Sequence, residues 1–187
     1  MIFIRETQLK GVYTAEPEVY IDERGFFLES FRLDLWEKVV GPVRFIQDNE
    51  SFSLHGVLRG LHYQLPPYGQ SKLVRVVRGA VRDVVVDMRP DSPTYGQHHT
   101  EELNDQNKRQ LFVPSGFAHG FLALSPEAVL QYKVDAPYVP EAERCLRFDD
   151  PALGIDWGVS PNSCLLSNKD RHGLSWEAAI DEIVNNK

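Results

Sequence analysis

The middle of the chain is a close succession of short β-type runs with no helix-length segment between them, and this constrains the fold most. Residues Lys72–Arg78 and 81–88 are rich in Val and split by Gly79, a pattern that reads as a hairpin. Residues Gln110–Val113 and 118–124 flank the turn Pro114-Ser115-Gly116, and 128–134 follow Ser125-Pro126-Glu127. Parallel α/β sheets need a crossover helix between strands, so runs packed this tightly favour an all-β sandwich or barrel. Two segments carry a helical signal. Leu33–Val40 places Leu33, Trp36 and Val40 at spacings of three and four and stops at Gly41-Pro42. Residues 175–184 begin with Ser175 followed by Glu177, which predicts a capped C-terminal helix. With no repeat, low-complexity tract or linker, residues 1–187 are expected to form a single domain.

Composition excludes several classes. A net charge of −7 points away from nucleic acid as partner, while leaving room for a local basic pocket. No apolar run approaches the ~20 residues of a membrane helix. The N-terminus lacks the basic start and apolar core of a signal peptide. Cys145 and Cys164 are too few for a disulfide scaffold and lack metal-type spacing, so they read as free thiols in a reducing compartment. The expected location is the cytoplasm.

The richest chemistry lies in Val57-Leu58-Arg59-Gly60-Leu61-His62-Tyr63-Gln64. In an extended chain, period-2 alternation puts Arg59, Leu61 and Tyr63 on one face and Gly60, His62 and Gln64 on the other. Downstream, Lys72, His119, Tyr132 and Asp170 each sit where a strand or loop can aim them at a common point. An imidazole titrating near neutrality, a phenol and fixed cations suit proton transfer beside a carbonyl. Taken singly these residues have plainer readings: a structural histidine, a snorkelling edge lysine, a core tyrosine.

Pro114-Ser115-Gly116-Phe117-Ala118-His119-Gly120-Phe121 matches the second sequence motif of the cupins, whose histidine often binds a metal. The first cupin motif offers two histidines one residue apart and a glutamate; here the place reads His62-Tyr63-Gln64. His62 and His119 lack an obvious third ligand, so no metal site is expected. His98-His99 reads as a solvated pair.

Taken together, DERGFFLES at 22–30, QDNES at 47–51, GVLRGLHYQ at 56–64, KLVRVVRG at 72–79, PSGFAHGF at 114–121 and DDPALGIDW at 149–157 resemble the dTDP-4-dehydrorhamnose 3,5-epimerase family. The similarity runs from about Gly11 to Asp170. It implies an all-β cupin double-stranded β-helix, a jelly-roll barrel with a few short peripheral helices. It also implies epimerisation of dTDP-4-keto-6-deoxyglucose at carbons 3 and 5 to dTDP-4-keto-L-rhamnose, without a cofactor, by a homodimer that often adds an N-terminal strand to its partner's sheet. Residues 2–4 supply an apolar edge suited to that.

By this resemblance His62 is the catalytic base and Asp170 its dyad carboxylate. Tyr132 is the general acid on the opposite face of the sugar, and Lys72 stabilises the enolate. His119 lies along the sugar and phosphate path, and Arg24 and Arg59 hold the diphosphate through their planar forks. Phe26, Glu29, Gln47 and Asn49 form the thymidine pocket. Tyr138 is a second active-site tyrosine, and Glu143 and Lys169 contact the nucleotide, with Glu141 the alternative to Glu143 if the loop shifts by two. The chain departs from the family after Lys169-Asp170, where Arg171-His172-Gly173-Leu174 replaces a proline before a leucine. Three other activities compete: a single-centre epimerase or ketoisomerase of the same fold, a non-catalytic sugar-nucleotide-binding cupin, and a metal-dependent cupin isomerase or dioxygenase.

Overall fold

A computed structural model describes residues 1–185 of the chain. In order, its elements are β1 (Ile2–Glu6), β2 (Tyr13–Pro17), β3 (Val19–Asp22), β4 (Gly25–Leu28), α1 (Leu33–Val40), β5 (Gln47–Leu54), β6 (Leu58–Gln64), β7 (Lys72–Arg78), β8 (Ala80–Asp87) and β9 (His98–Asn104). There follow β10 (Gln110–Val113), β11 (Phe117–Ala123), β12 (Glu127–Val134), β13 (Glu143–Cys145), α2 (Asn168–Arg171) and α3 (Trp176–Asn185). A six-stranded sheet, β1-β2-β10-β7-β12-β5, faces a five-stranded sheet, β13-β6-β11-β8-β9, while β3 and β4 form a separate hairpin. This is the jelly roll expected from the sequence, with three short helices at its periphery.

The expected hairpin across Gly79 does not form. β7 pairs with β10 and β12 in one sheet, whereas β8 pairs with β9 and β11 in the other. Gly79, at φ +78°, turns the chain from one sheet to the other. β10 and β11 separate in the same way across Pro114-Ser115-Gly116. From β9 to β13, and across Gly79, the chain passes from one sheet to the other at each turn, so a turn residue between two Val-rich runs does not imply pairing. The hydrophobic faces explain the choice. Val74 and Val76 of β7 meet Val81 and Val85 of β8, with Leu111, Phe121 and Leu130, in the cluster between the sheets.

Each outer sheet face is covered by one end of the chain. Ile2, Ala15, Leu73 and Phe112 of the six-stranded sheet pack against the fully buried Trp36 of α1. Leu58, Leu61, Tyr63, Val84 and Val86 of the five-stranded sheet pack beneath Phe148, Trp157, Ala179 and Ile183 of the C-terminal segment. Both sequence-predicted helices are present. α1 ends at Gly41 (φ +81°), and Ser175 Oγ accepts the Ala178 amide at 3.3 Å at the start of α3.

A β-bulge in β6 corrects the alternation read from the sequence. His119 stands opposite His62 and Phe121 opposite Arg59, so two steps along β11 match three along β6. The extra residue turns Arg59 to the same face as His62, away from Leu61. The two strands approach closely here. A Cβ on Gly60 would lie 2.5 Å from Gly120 Cα, and one on Gly120 would lie 2.6 Å from the Arg59 carbonyl. Only glycine fits either place, and Gly60 also has φ +123°.

Candidate active site

A cavity of about 160 Å³ opens between the two sheets, lined among others by His62, Lys72, Tyr132, Tyr138 and Glu143. β6, β7 and β12 bring His62, Lys72 and Tyr132 to it. Lys72 and Tyr132 share the inner face of the six-stranded sheet, since Tyr132 pairs with Val74 and Val134 with Lys72. His62 faces them from the opposite sheet.

Asp170 lies behind His62, 4% exposed, and its Oδ1 is 2.6 Å from His62 Nε2. The same oxygen accepts the Gly60 amide at 3.3 Å, and Oδ2 accepts the Ser167 hydroxyl at 2.7 Å. Ser167 also caps α2, taking the Asp170 amide at 3.2 Å. Burial alone would raise the Asp170 pKa. The bonds from His62, Ser167 and Gly60 outweigh it and bring the carboxyl down to about 2. An ionised carboxylate only accepts, so the proton between the two groups belongs to His62 Nε2, and the basic lone pair of the ring is on Nδ1. Burial lowers the His62 pKa, Asp170 offsets this in part, and the Lys169 and Lys72 charges add to the lowering. A neutral base with an orienting carboxylate is thus in place at neutral pH.

Burial raises the Tyr132 pKa, so its phenol stays protonated and available as a donor. Burial brings Lys72 down to about 8, against the pull of the Asp83 and Glu143 carboxylates. At neutral pH it is mostly an ammonium, poised to lose its charge in mild alkali.

At the rim, Glu143 Oε2 accepts the Tyr138 hydroxyl at 2.9 Å and Oε1 accepts Lys169 Nζ at 2.7 Å. Of Glu143 and Glu141, it is Glu143 that lines the cavity. Arg59 donates to Ser53 Oγ and the Phe52 carbonyl, both at 3.0 Å, and its charge acts on Tyr132. Asn49 stands opposite Tyr132 in the ladder and accepts the Gln47 side-chain amide at 2.7 Å.

His119 is 7% exposed, with Nε2 2.9 Å from both oxygens of the fully buried Asp83, and it is not among the residues lining the cavity. Its neighbour in the ladder, His62, is bonded to a different carboxylate, Asp170. Nor is His98-His99 a solvated pair. His99 is 8% exposed and 3.2 Å from Glu101, because β9 turns alternate residues into the core.

Arg24 and Phe26 lie elsewhere, on the β3–β4 hairpin, where they line a recess with Tyr20, Ile21, Asp22 and Phe27. Arg24 is paired with Asp22, and Lys108 Nζ lies over the Phe26 ring, 4.0 Å from its centroid. Glu29 follows that hairpin, 3.8 Å from Arg32. Sequence reasoning did not single out Ser167 or Asp83. The spacing Ser167-x-x-Asp170 is a recognisable cap signal, whereas nothing local marks Asp83 as the partner of His119.

Three comparisons with known proteins bear on this geometry. The family model described as dTDP-4-dehydrorhamnose 3,5-epimerase matches residues 6–178. A protein of that name from Methanothermobacter thermautotrophicus is 49% identical over 168 residues, 89% of this chain and 90% of its own. A crystal structure from Legionella pneumophila, described as dTDP-6-deoxy-D-glucose-3,5-epimerase in complex with dTDP-4-keto-L-rhamnose, superposes with a TM-score of 0.92 at 44% identity. It covers 98% of this chain and 97% of its own. A relative from Streptomyces niveus, 41% identical across 95% of this chain and 86% of its own length, is named dTDP-4-dehydrorhamnose 3-epimerase.

Proposed function

Because the chain belongs to the dTDP-4-dehydrorhamnose 3,5-epimerase family, we propose that its cavity inverts carbons 3 and 5 of dTDP-4-keto-6-deoxyglucose, giving dTDP-4-keto-L-rhamnose. One observation carries the reading: the His62–Asp170 dyad and the Tyr132 phenol line one small cavity from opposite sheets, with Lys72 beside them.

The 4-keto group acidifies the hydrogens on the two flanking carbons. His62 Nδ1 removes one, and Asp170 steadies the imidazolium that forms. The Lys72 ammonium stabilises the enolate oxygen, which carries more negative charge in the transition state than in the ketone. Tyr132 delivers a proton from the other face, so the centre inverts. The cycle closes when His62 sheds its proton to solvent and Tyr132 regains one. A second round at the other carbon uses the same groups. Every step is a proton transfer with no change of redox state, so the scheme calls for neither nicotinamide nor metal.

Arg59, at the rim, meets the diphosphate together with Lys169, while Gln47 and Asn49 meet the nucleoside. His119, held by Asp83, lies along the sugar and phosphate path. Arg24, Phe26 and Glu29 contact the nucleotide only if a second copy of the chain brings them to it. The hairpin carries Ile21, Phe26 and Phe27 at 81%, 59% and 69% exposure, an apolar surface suited to a partner. The functional unit is therefore a homodimer of single-domain chains, with the hairpin of one copy completing the site of the other. Two buried free thiols fit a cytoplasmic location.

Turnover of dTDP-4-keto-6-deoxyglucose in deuterated water, read by mass spectrometry, tests the reaction. Two deuterons per product are expected. Label at one carbon alone would favour the single-centre reading, which the Streptomyces niveus relative supports. The His62→Ala variant is expected to retain dTDP binding and lose both exchanges; exchange at the wild-type rate would remove His62 as the base.

A further inference from the structure

From the convergence of His62, Cys145 and Asp170 beside the cavity, we propose that these three side chains form an inhibitory site for Zn²⁺. The ligand atoms come from β6, β13 and the start of α2 and lie within 4.8 Å of one another. Sequence spacing could not reveal this trio. Cys145 meets His62 only because β13 pairs with β6 and sets the two residues opposite each other.

The ligand atoms are near enough to be drawn onto one tetrahedral ion. With Zn–S near 2.3 Å and Zn–N or Zn–O near 2.0 Å, the edges of a tetrahedron are about 3.3–3.6 Å. Cys145 Sγ is already 3.7 Å from Asp170 Oδ1. The His62 Nε2 to Oδ1 separation of 2.6 Å must open by about 0.7 Å on the same geometry. A thiolate, an imidazole and a single carboxylate favour Zn²⁺ over Mg²⁺, which prefers oxygen ligands and keeps its waters.

Binding has a defined proton balance. Cys145 gives its proton to solvent, and the proton on His62 Nε2 moves to Nδ1 as the metal takes Nε2. A neutral imidazole bound this way has no free lone pair and cannot act as a base. Burial holds the Cys145 thiol up at about 12, with the Asp170 charge adding to it, so the resting site is protonated and the dyad is undisturbed without metal. It also makes Zn²⁺ affinity rise with pH.

The inhibition rests on the epimerase reading, but the binding does not, so the two are measured separately. Chelator-treated protein is titrated with Co²⁺, whose bond to a thiolate gives a charge-transfer absorption band in the near ultraviolet. The band is expected in wild type and in Cys164→Ala, and absent in Cys145→Ala and Cys145→Ser. In the deuterium-exchange assay, Zn²⁺ is expected to inhibit wild type reversibly, with chelator restoring the rate. Each Cys145 variant, referred to its own metal-free rate, should need at least ten times more Zn²⁺. Lack of the Co²⁺ band, equal inhibition of wild type and Cys145→Ser, or equal potency of Mg²⁺ would each overturn the site. A Co²⁺ band in a protein without epimerase activity would keep the site and reject the reaction.

Discussion

Replacing Asp170 by Asn tests the dyad most directly, because it keeps the shape and removes the charge. The carboxyl, at about 2 against an ordinary 3.8, is favoured in its ionised form by about 2 kcal/mol, at 1.36 kcal/mol per pKa unit. That energy comes largely from His62, Ser167 and the Gly60 amide. An amide cannot steady an imidazolium and can turn its NH₂ group toward Nε2, which selects the wrong tautomer. In triads where the geometry survives but the tautomer is wrong, the loss is about 10⁴ in kcat. A loss of about 10²–10⁴ is therefore expected for Asp170→Asn in deuterium exchange, with KM for the nucleotide sugar little changed. Stability supplies a second readout. Asp170 binds fewer protons in the folded state than in the unfolded state between about pH 4 and 2, so its contribution is complete above that window and lost as pH falls through it. On acidification through the window, wild type should lose about 2 kcal/mol that Asp170→Asn does not, as measured by urea unfolding at fixed pH values. Exchange within threefold of wild type would refute the assignment of Asp170 as the partner of the base.

Lys72, lowered to about 8, should impose an alkaline limb near that value on kcat. In Lys72→Met the residual rate should be flat across that region, and a persisting limb would assign it to another group. Tyr132→Phe should still exchange deuterium into recovered substrate while forming little inverted product, as separated by NMR; normal inversion would move the acid elsewhere. Ser167→Ala removes a charge-assisted hydrogen bond and a helix cap, together worth about 2–3 kcal/mol. It should lower kcat and shift the acid limb to lower pH, because a less firmly held Asp170 stabilises the His62 imidazolium less; Ser167→Thr should restore both. Gly60→Ala sets a methyl 2.5 Å from Gly120 Cα at φ +123°, and thermal unfolding should record a loss of 3 kcal/mol or more.

What the sequence revealed and what it concealed divide along physical lines. Local signals survived: the short β runs, the 3.6-residue period of Leu33, Trp36 and Val40, the Ser175 cap and the glycine-shaped turns all reappear in the fold. Pairing was illegible because Gly79 marks a turn without specifying whether the next strand lies beside the last or across the core from it. The face of Arg59 was misread because alternation assumes an unbroken ladder, and the bulge arises from two glycines, Gly60 and Gly120, that meet only in the folded state. In the site, His62, Lys72 and Tyr132 stood out by chemical type and motif, yet their convergence depends on inward registers of two facing sheets that no window of sequence contains. Cys145 is the sharpest case. Judged by spacing it was a free thiol outside any metal pattern, and the pairing of β13 with β6 brings its sulfur to 3.7 Å from the carboxylate that orients the base. Residue type announces chemistry and local pattern announces elements, but which groups act on one another is decided by strand register, and register is a property of the whole sandwich.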